Sequence, residues 1–113
     1  MTFNGQEKRK KISDKTDLIL SINNLLISPV RFPIMLILFT HKKIRFSELQ
    51  TLLNLSAGNL DHHLRKLEGA AYIVKKRVLF PKRSQTMIII TELGRNSFKE
   101  FSHKLSNILN KVE

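Results

Sequence analysis

The chain has 113 residues, 42% of them hydrophobic, no cysteine, and 20 Lys and Arg against 9 Asp and Glu, a formal charge of +11. One domain of this length buries enough apolar surface to stand without a metal or a disulfide, and the missing thiols exclude disulfides, thiolate metal sites and cysteine redox sensing. The charge draws in polyanions: nucleic acid first and anionic membrane second, set against plain solubilisation or a ribosomal protein on RNA.

Residues 1–13 contain the block Lys8, Arg9, Lys10, Lys11 and no signal-peptide core. They read as a flexible basic arm, or a plain disordered tail, ahead of one domain over residues 14–113. From Asp14 to Ile27, Leu18, Ile22, Leu25 and Leu26 fall at helical spacing, with Ser13 or Asp14 as cap. Ser28-Pro29 then reads as a cap followed by proline at the first helical position, and Ile34–Phe39 continues that second helix. Pro33 lacks a backbone donor, so the helix kinks there or begins near it. Ile34–Phe39 is also the longest apolar run. It falls far short of the ~20 residues of a bilayer span, so no membrane partner is expected and the chain is placed in the cytoplasm, on the nucleoid.

Lys42 to Phe46 reads as a loop with a brief strand. Ser47 is the expected cap of a short helix with Glu48 in its first turn and Leu49, Leu52 and Leu53 on one side. Asn54-Leu55 is a turn. Ser56 caps the next helix, which runs to Glu68 with Ala57, Leu60, Leu64 and Leu67 as one buried face, and Gly69 stops it. Tyr72 to Phe80 and Thr86 to Ile90 are β-rich runs about a polar turn, Pro81 to Gln85. Thr91 caps a long terminal helix, about residues 91–113, whose Phe98, Phe101, Leu105, Ile108 and Val112 form an alternating seam. Such a seam suits a second copy of the chain or the first helix of the same one.

The expected fold is α+β, mostly α: a winged helix-turn-helix with a two-stranded β-hairpin wing and a long C-terminal dimerisation helix. The segments SPVRFPIMLIL (28–38), FSELQTLLNLSAGNLDHHLRKLEGAAYI (46–73) and TMIIITELGRNSF (86–98) carry a family likeness. The chain resembles the ArsR-, MarR- and PadR-like winged-helix regulators, above all the small stand-alone ones. That resemblance implies a homodimer held by its terminal helices, which involves Leu18, Ile22, Leu25, Phe98, Phe101, Leu105, Ile108 and Val112. It also implies a second motif helix in the major groove and a hairpin tip on the backbone or minor groove. The family's usual glycine before the hairpin tyrosine is Ala71 here; if that position needs positive φ, Ala71 takes a costlier shape.

With the leucines of residues 56–68 turned inward, Asn59, His62, Arg65 and Lys66 face out, beside Ala57, Gly58 and Asp61. Asn pairs with adenine and Arg with guanine, and Gly58 lets the backbone approach a duplex. The first-turn amides after Ser47 and Ser56 suit phosphates. Lys75, Arg77, Lys82 and Arg83 neutralise more of them, with Ser84 and Gln85 beside the tip. The plainer roles are helix caps for the serines and a solvated face for Arg65 and Lys66. Asp61 either accepts from cytosine or pairs with Arg65 at i+4.

His62 and His63 are adjacent, so they point about 100° apart on a helix and chelate poorly together. His103 has no Asp, Glu or His four residues away. No metal and no cofactor is therefore expected. There is no Gly-rich phosphate loop, no paired carboxylates and no nucleophile elbow, so the chain is not read as an enzyme. Three functions remain: a homodimeric transcription regulator reading double-stranded DNA by sequence, a non-specific nucleoid protein, or an interaction module for RNA or transcription machinery. Whether a small-molecule effector is sensed stays open.

Overall fold

The computed structural model describes residues 22–80 and 83–112. The elements are α1 (Arg31–His41), β1 (Lys43–Arg45), α2 (Phe46–Leu53), α3 (Ala57–Gly69), β2 (Ile73–Phe80), β3 (Arg83–Ile90) and α4 (Glu92–Val112). This is the expected mostly helical winged-helix order. The basic arm and Leu18 lie outside the described residues.

The expected first helix does not run through Ile27; residues 22–30 make turns and bends. Asn23 is the cause. Its Oδ1 accepts from the Leu25 amide at 3.0 Å, and its carbonyl accepts from the Leu26 and Ile27 amides. A short amide side chain thus gives the backbone an alternative to the helix. Ser28 Oγ accepts from the amides of Val30 and Arg31 at 3.3 and 3.1 Å in the turn before α1, but α1 starts two residues later than expected, at Arg31 and not Pro29, with Val30 at its N-cap. Pro33 falls in the first turn of α1, where the missing donor breaks no intrahelical bond, so the helix starts near it.

The core joins Ile34, Met35 and Leu38 of α1, Leu49 of α2, Leu60, Leu64 and Leu67 of α3, and Ile44, Ile73 and Ile88 of the sheet. Phe98 and Phe101 of α4 complete it at 4% and 2% exposure. Their rings both lie 5.8 Å from Phe32, and Phe98 lies 5.3 Å from Phe39. The first half of the expected dimer seam therefore packs on α1 of its own chain. Phe98, Phe101 and the buried Ile22 are core residues and do not offer a face to a second copy. Leu25, Leu105 and Ile108 are partly buried against the same core, and the Val112 side chain lies outside the description.

The sheet has three strands in the order β1-β3-β2: the expected two-stranded hairpin of β2 and β3, with the expected brief strand β1 paired to β3. Ile88 at its centre pairs with Ile44 on β1 and Lys75 on β2, so these three share the face turned to the helices. β3 begins at Arg83, paired with Phe80. Arg83, Ser84 and Gln85 thus belong to the strand and not to a turn.

The junction of α3, β2 and α4 is tightly specified. The Ala71 amide bonds the Glu68 carbonyl and the Tyr72 amide that of Leu67, a Schellman closure of α3. It requires left-handed backbone at Ala71, where φ is 62°. Thr91 caps α4, accepting from the Gly94 amide at 2.9 Å and donating to the Ala71 carbonyl at 2.6 Å. A Cβ on Gly94 would run into the Tyr72 carbonyl oxygen, and that oxygen also accepts from the Thr91 amide.

Ala71→Gly relieves the left-handed strain and gives back part of the gain as chain entropy, so it raises stability by about 0.5–1 kcal/mol. A thermal melt rising by a few degrees is the expected outcome. Gly94→Ala forces α4 off the Tyr72 backbone and lowers stability by about 2 kcal/mol or more, read as the shift in denaturant midpoint.

Candidate nucleic-acid interface

Two helices and a left-handed turn set the interface. Asn54 has φ 51°. Its amide bonds the Thr51 carbonyl and the Leu55 amide bonds that of Gln50, which closes α2 and turns the chain into α3. Ser56 caps α3, its Oγ accepting from the Asn59 amide at 3.1 Å. Ser47 does not cap α2. Arg45 holds that position with extended backbone and no side-chain cap bond, and Ser47 sits exposed in the first turn. The reason is β1: Arg45 pairs with Met87, and the chain passes from strand to helix with no intervening residue.

On α3 the leucines Leu60, Leu64 and Leu67 are fully buried, while Gly58, Asn59, His62, Arg65 and Lys66 are exposed. Ala57 does not join the buried stripe. It is exposed at the first position of the helix, beside Gly58.

Asp61 lies between two cations. Its Oδ2 meets Arg65 Nε at 2.8 Å, the i+4 pair expected from the sequence. Its Oδ1 accepts from Lys75 Nζ at 3.1 Å, and Lys75 also lies 3.8 Å from Glu68. The Lys75 hydrogen bond holds the Asp61 carboxyl below its ordinary range, against the opposing effect of burial and with help from the Lys75 and Arg65 charges. Lys75 is therefore not the backbone-facing cation expected of the hairpin. It faces α3 because its register with Ile88 turns it inward, and only 22% of its side chain is exposed.

The other hairpin residues divide. Arg83 and Ser84 are exposed, and Arg77 donates to Thr86 Oγ1 at 3.2 Å. With Ser47 they line a groove of about 420 Å³ between the start of α2 and the hairpin. Gln85 lines the same groove; it is half-buried, and its Oε1 is shut off from solvent without a partner. Lys82 lies outside the described residues.

His63 is half-buried, and its Nδ1 receives Arg31 Nη1 at 2.9 Å. Arg31 Nε donates to the Leu25 carbonyl at 2.7 Å, so one arginine ties α3 to α1 and to the turn before it. Burial, then the charges of Arg31, His62 and Lys66, push the His63 pKa down. Nothing in the sequence pairs Arg31 with His63 or Lys75 with Asp61; both depend on distant segments meeting. The His62 ring meets that of His63 edge-on at 5.3 Å. Among the described residues no three His, Cys, Asp or Glu side chains gather as a metal site, and no helix is long and apolar enough to cross a membrane.

Residues 30–109 match the winged helix DNA-binding domain family. The chain belongs to that family. An uncharacterised protein of Methanocaldococcus jannaschii is 35% identical over 86 residues, 76% of this chain and 94% of that one. A transcriptional regulator homologue from Pyrococcus horikoshii superposes with a TM-score of 0.80 at 31% identity, covering 88% of this chain and 98% of the other. Reduced AbfR bound to DNA shares the fold at a TM-score of 0.66 and 19% identity, over 90% of this chain and 71% of that one. The winged-helix family to which the chain belongs is one of DNA-binding transcription regulators.

The neutral His63 ring is the form the fold favours. Stability is therefore full above the ordinary histidine pKa near 6.5 and falls as pH drops through that value, until the folded protein is protonated too. Thermal melts from about pH 7.5 down to about pH 5 test this. His63→Gln keeps an acceptor for Arg31 without the titration, and its melting temperature declines less over that window.

Proposed function

We propose that this winged-helix protein reads double-stranded DNA by sequence as a homodimer and regulates transcription. α3 enters the major groove, and the hairpin lies on the backbone or in the minor groove. The observation that carries the reading is the division of α3, with three leucines fully buried on one side and Asn59, His62, Arg65 and Lys66 exposed on the other. Asn and Arg suit the adenine and guanine edges, respectively. Ala57 and Gly58 leave the start of the helix open to close approach. The first-turn amides of α2 and α3, with Ser47 and Ser56 beside them, suit phosphates. Arg77, Arg83 and Ser84 supply the wing's backbone contacts, and Lys82, next to Arg83 in the sequence, adds one more.

Dimerisation is supported by the second half of α4. Leu105 and Ile108 are only partly covered, and Leu109 is 59% exposed. A two-fold dimer places its α3 helices on half-sites about one helical turn apart. The residues favour no catalytic step and no resident cofactor. A non-specific nucleoid coat would share the +11 charge, but it has no use for the Asn and Arg pair on α3.

Selection of bound duplexes from a random pool, followed by footprinting, tests the reading. A specificity ratio of at least ~10³ over scrambled DNA is expected; a ratio near one assigns the protein to non-specific coating. Arg65→Ala relaxes base preference at one position of each half-site and costs roughly 1–3 kcal/mol on the selected duplex. Arg83→Ala weakens binding to every sequence alike and lowers the salt slope by about 0.9 for each phosphate left without its arginine.

A further inference from the structure

The recognition face carries Asp61 among its cations, and the position of that acid is over-determined. We propose that Asp61 is a positioning residue for base readout: anchored from behind by Lys75, it grips the Arg65 guanidinium by its Nε edge and reserves the two Nη groups for a guanine. This inference rests on the sequence-specific reading above.

Three observations support it. Arg65 is bound at Nε, 2.8 Å from Asp61 Oδ2, while 76% of its side chain remains exposed. The guanidinium offers a planar fork of donors, and the end opposite the alkyl stem stays available to O6 and N7 of guanine. The second carboxylate oxygen is held by Lys75 at 3.1 Å, and the strand register at Ile88 fixes Lys75 on the inner face of β2. Finally, an acid opposite a polyanion weakens binding to all DNA. Its cost in affinity is offset by pre-ordering a long side chain that would otherwise lose its rotamer freedom on binding.

Charge alone moves the affinities for both duplexes together, whereas positioning changes their ratio. Asp61→Asn removes a negative charge from the DNA-facing side, so it tightens binding to a scrambled duplex. If Asp61 positions Arg65, the same change lowers the ratio of selected to scrambled affinity by about tenfold. Lys75→Met changes charge in the other direction and frees Asp61 from its anchor. It weakens scrambled binding and again lowers the ratio, and it keeps the test intact should Asp61→Asn not fold.

Affinities are measured by fluorescence anisotropy on the full chain, with the duplex that wild-type protein selects from a random pool and a scrambled duplex of equal composition. In an Arg65→Ala background, Asp61→Asn is expected to leave the ratio where Arg65→Ala put it. The proposal is overturned if Asp61→Asn and Lys75→Met move both duplexes together, or if Asp61→Asn lowers the ratio equally without Arg65. A wild-type ratio near one is a different result. It removes the sequence-specific reading itself, and the role of Asp61 with it.

Discussion

Burial of Leu60, Leu64 and Leu67 is the constraint on which the molecule turns. All three are fully removed from solvent, and their spacing fixes the rotation of α3 about its own axis. Once that rotation is set, the residues between them have nowhere to go but out. The polar face of α3 is thus a consequence of core packing, and its precision is inherited from the core. A recognition helix free to roll by one residue would present a different set of side chains to the same groove. The Ser56 cap and the Schellman closure at Ala71 fix the two ends of the helix, one at each side of the leucine stripe.

The polar contacts around α3 act on top of that packing. Arg31 reaches His63 from α1, and Lys75 reaches Asp61 and Glu68 from β2. Both cations are partly buried, and both approach α3 from the core side. They leave the +11 of the chain unevenly used. Arg31 and Lys75 are consumed by internal partners, whereas Lys66 and Arg83 stand exposed. Exposed ion pairs contribute little to stability. The value of these contacts lies in orientation, which the proposed base readout requires.

How much of this was legible in the sequence depends on how local each cause is. The Asn54 turn, the Ser56 cap, the Thr91 cap and the inward leucines follow from neighbours within four residues, and they stand where the pattern puts them. Ala57 shows the limit of periodicity, since the stripe at i−3 from Leu60 extends past the end of the core. Ser47 was displaced by an event outside its own segment, the pairing of β1 with β3 as far as Arg45. The start of β3 was hidden because Arg83-Ser84-Gln85 has no apolar member, yet a hairpin paired through Phe80 needs none. A seam of phenylalanines spaced for helix packing does not say which helix it packs on. Here Phe32 and Phe39 of the same chain take the place offered to a second copy.

The Ala71 position joins these levels. Sequence likeness raises the question of a missing glycine, and the backbone answers it with φ of 62°. An L-residue adopts that shape only where surrounding bonds over-determine it. They do: the Ala71 amide closes α3, its carbonyl accepts from Thr91, and the next residue's carbonyl lies against Gly94. The strain sits at the hinge between α3 and the hairpin, the two elements that the proposed reading places on one duplex. A glycine there would widen the range of angles between them. Alanine narrows that range, so the local cost at Ala71 is also a stiffening of the wing against α3, set by the same two hydrogen bonds and the close approach at Gly94.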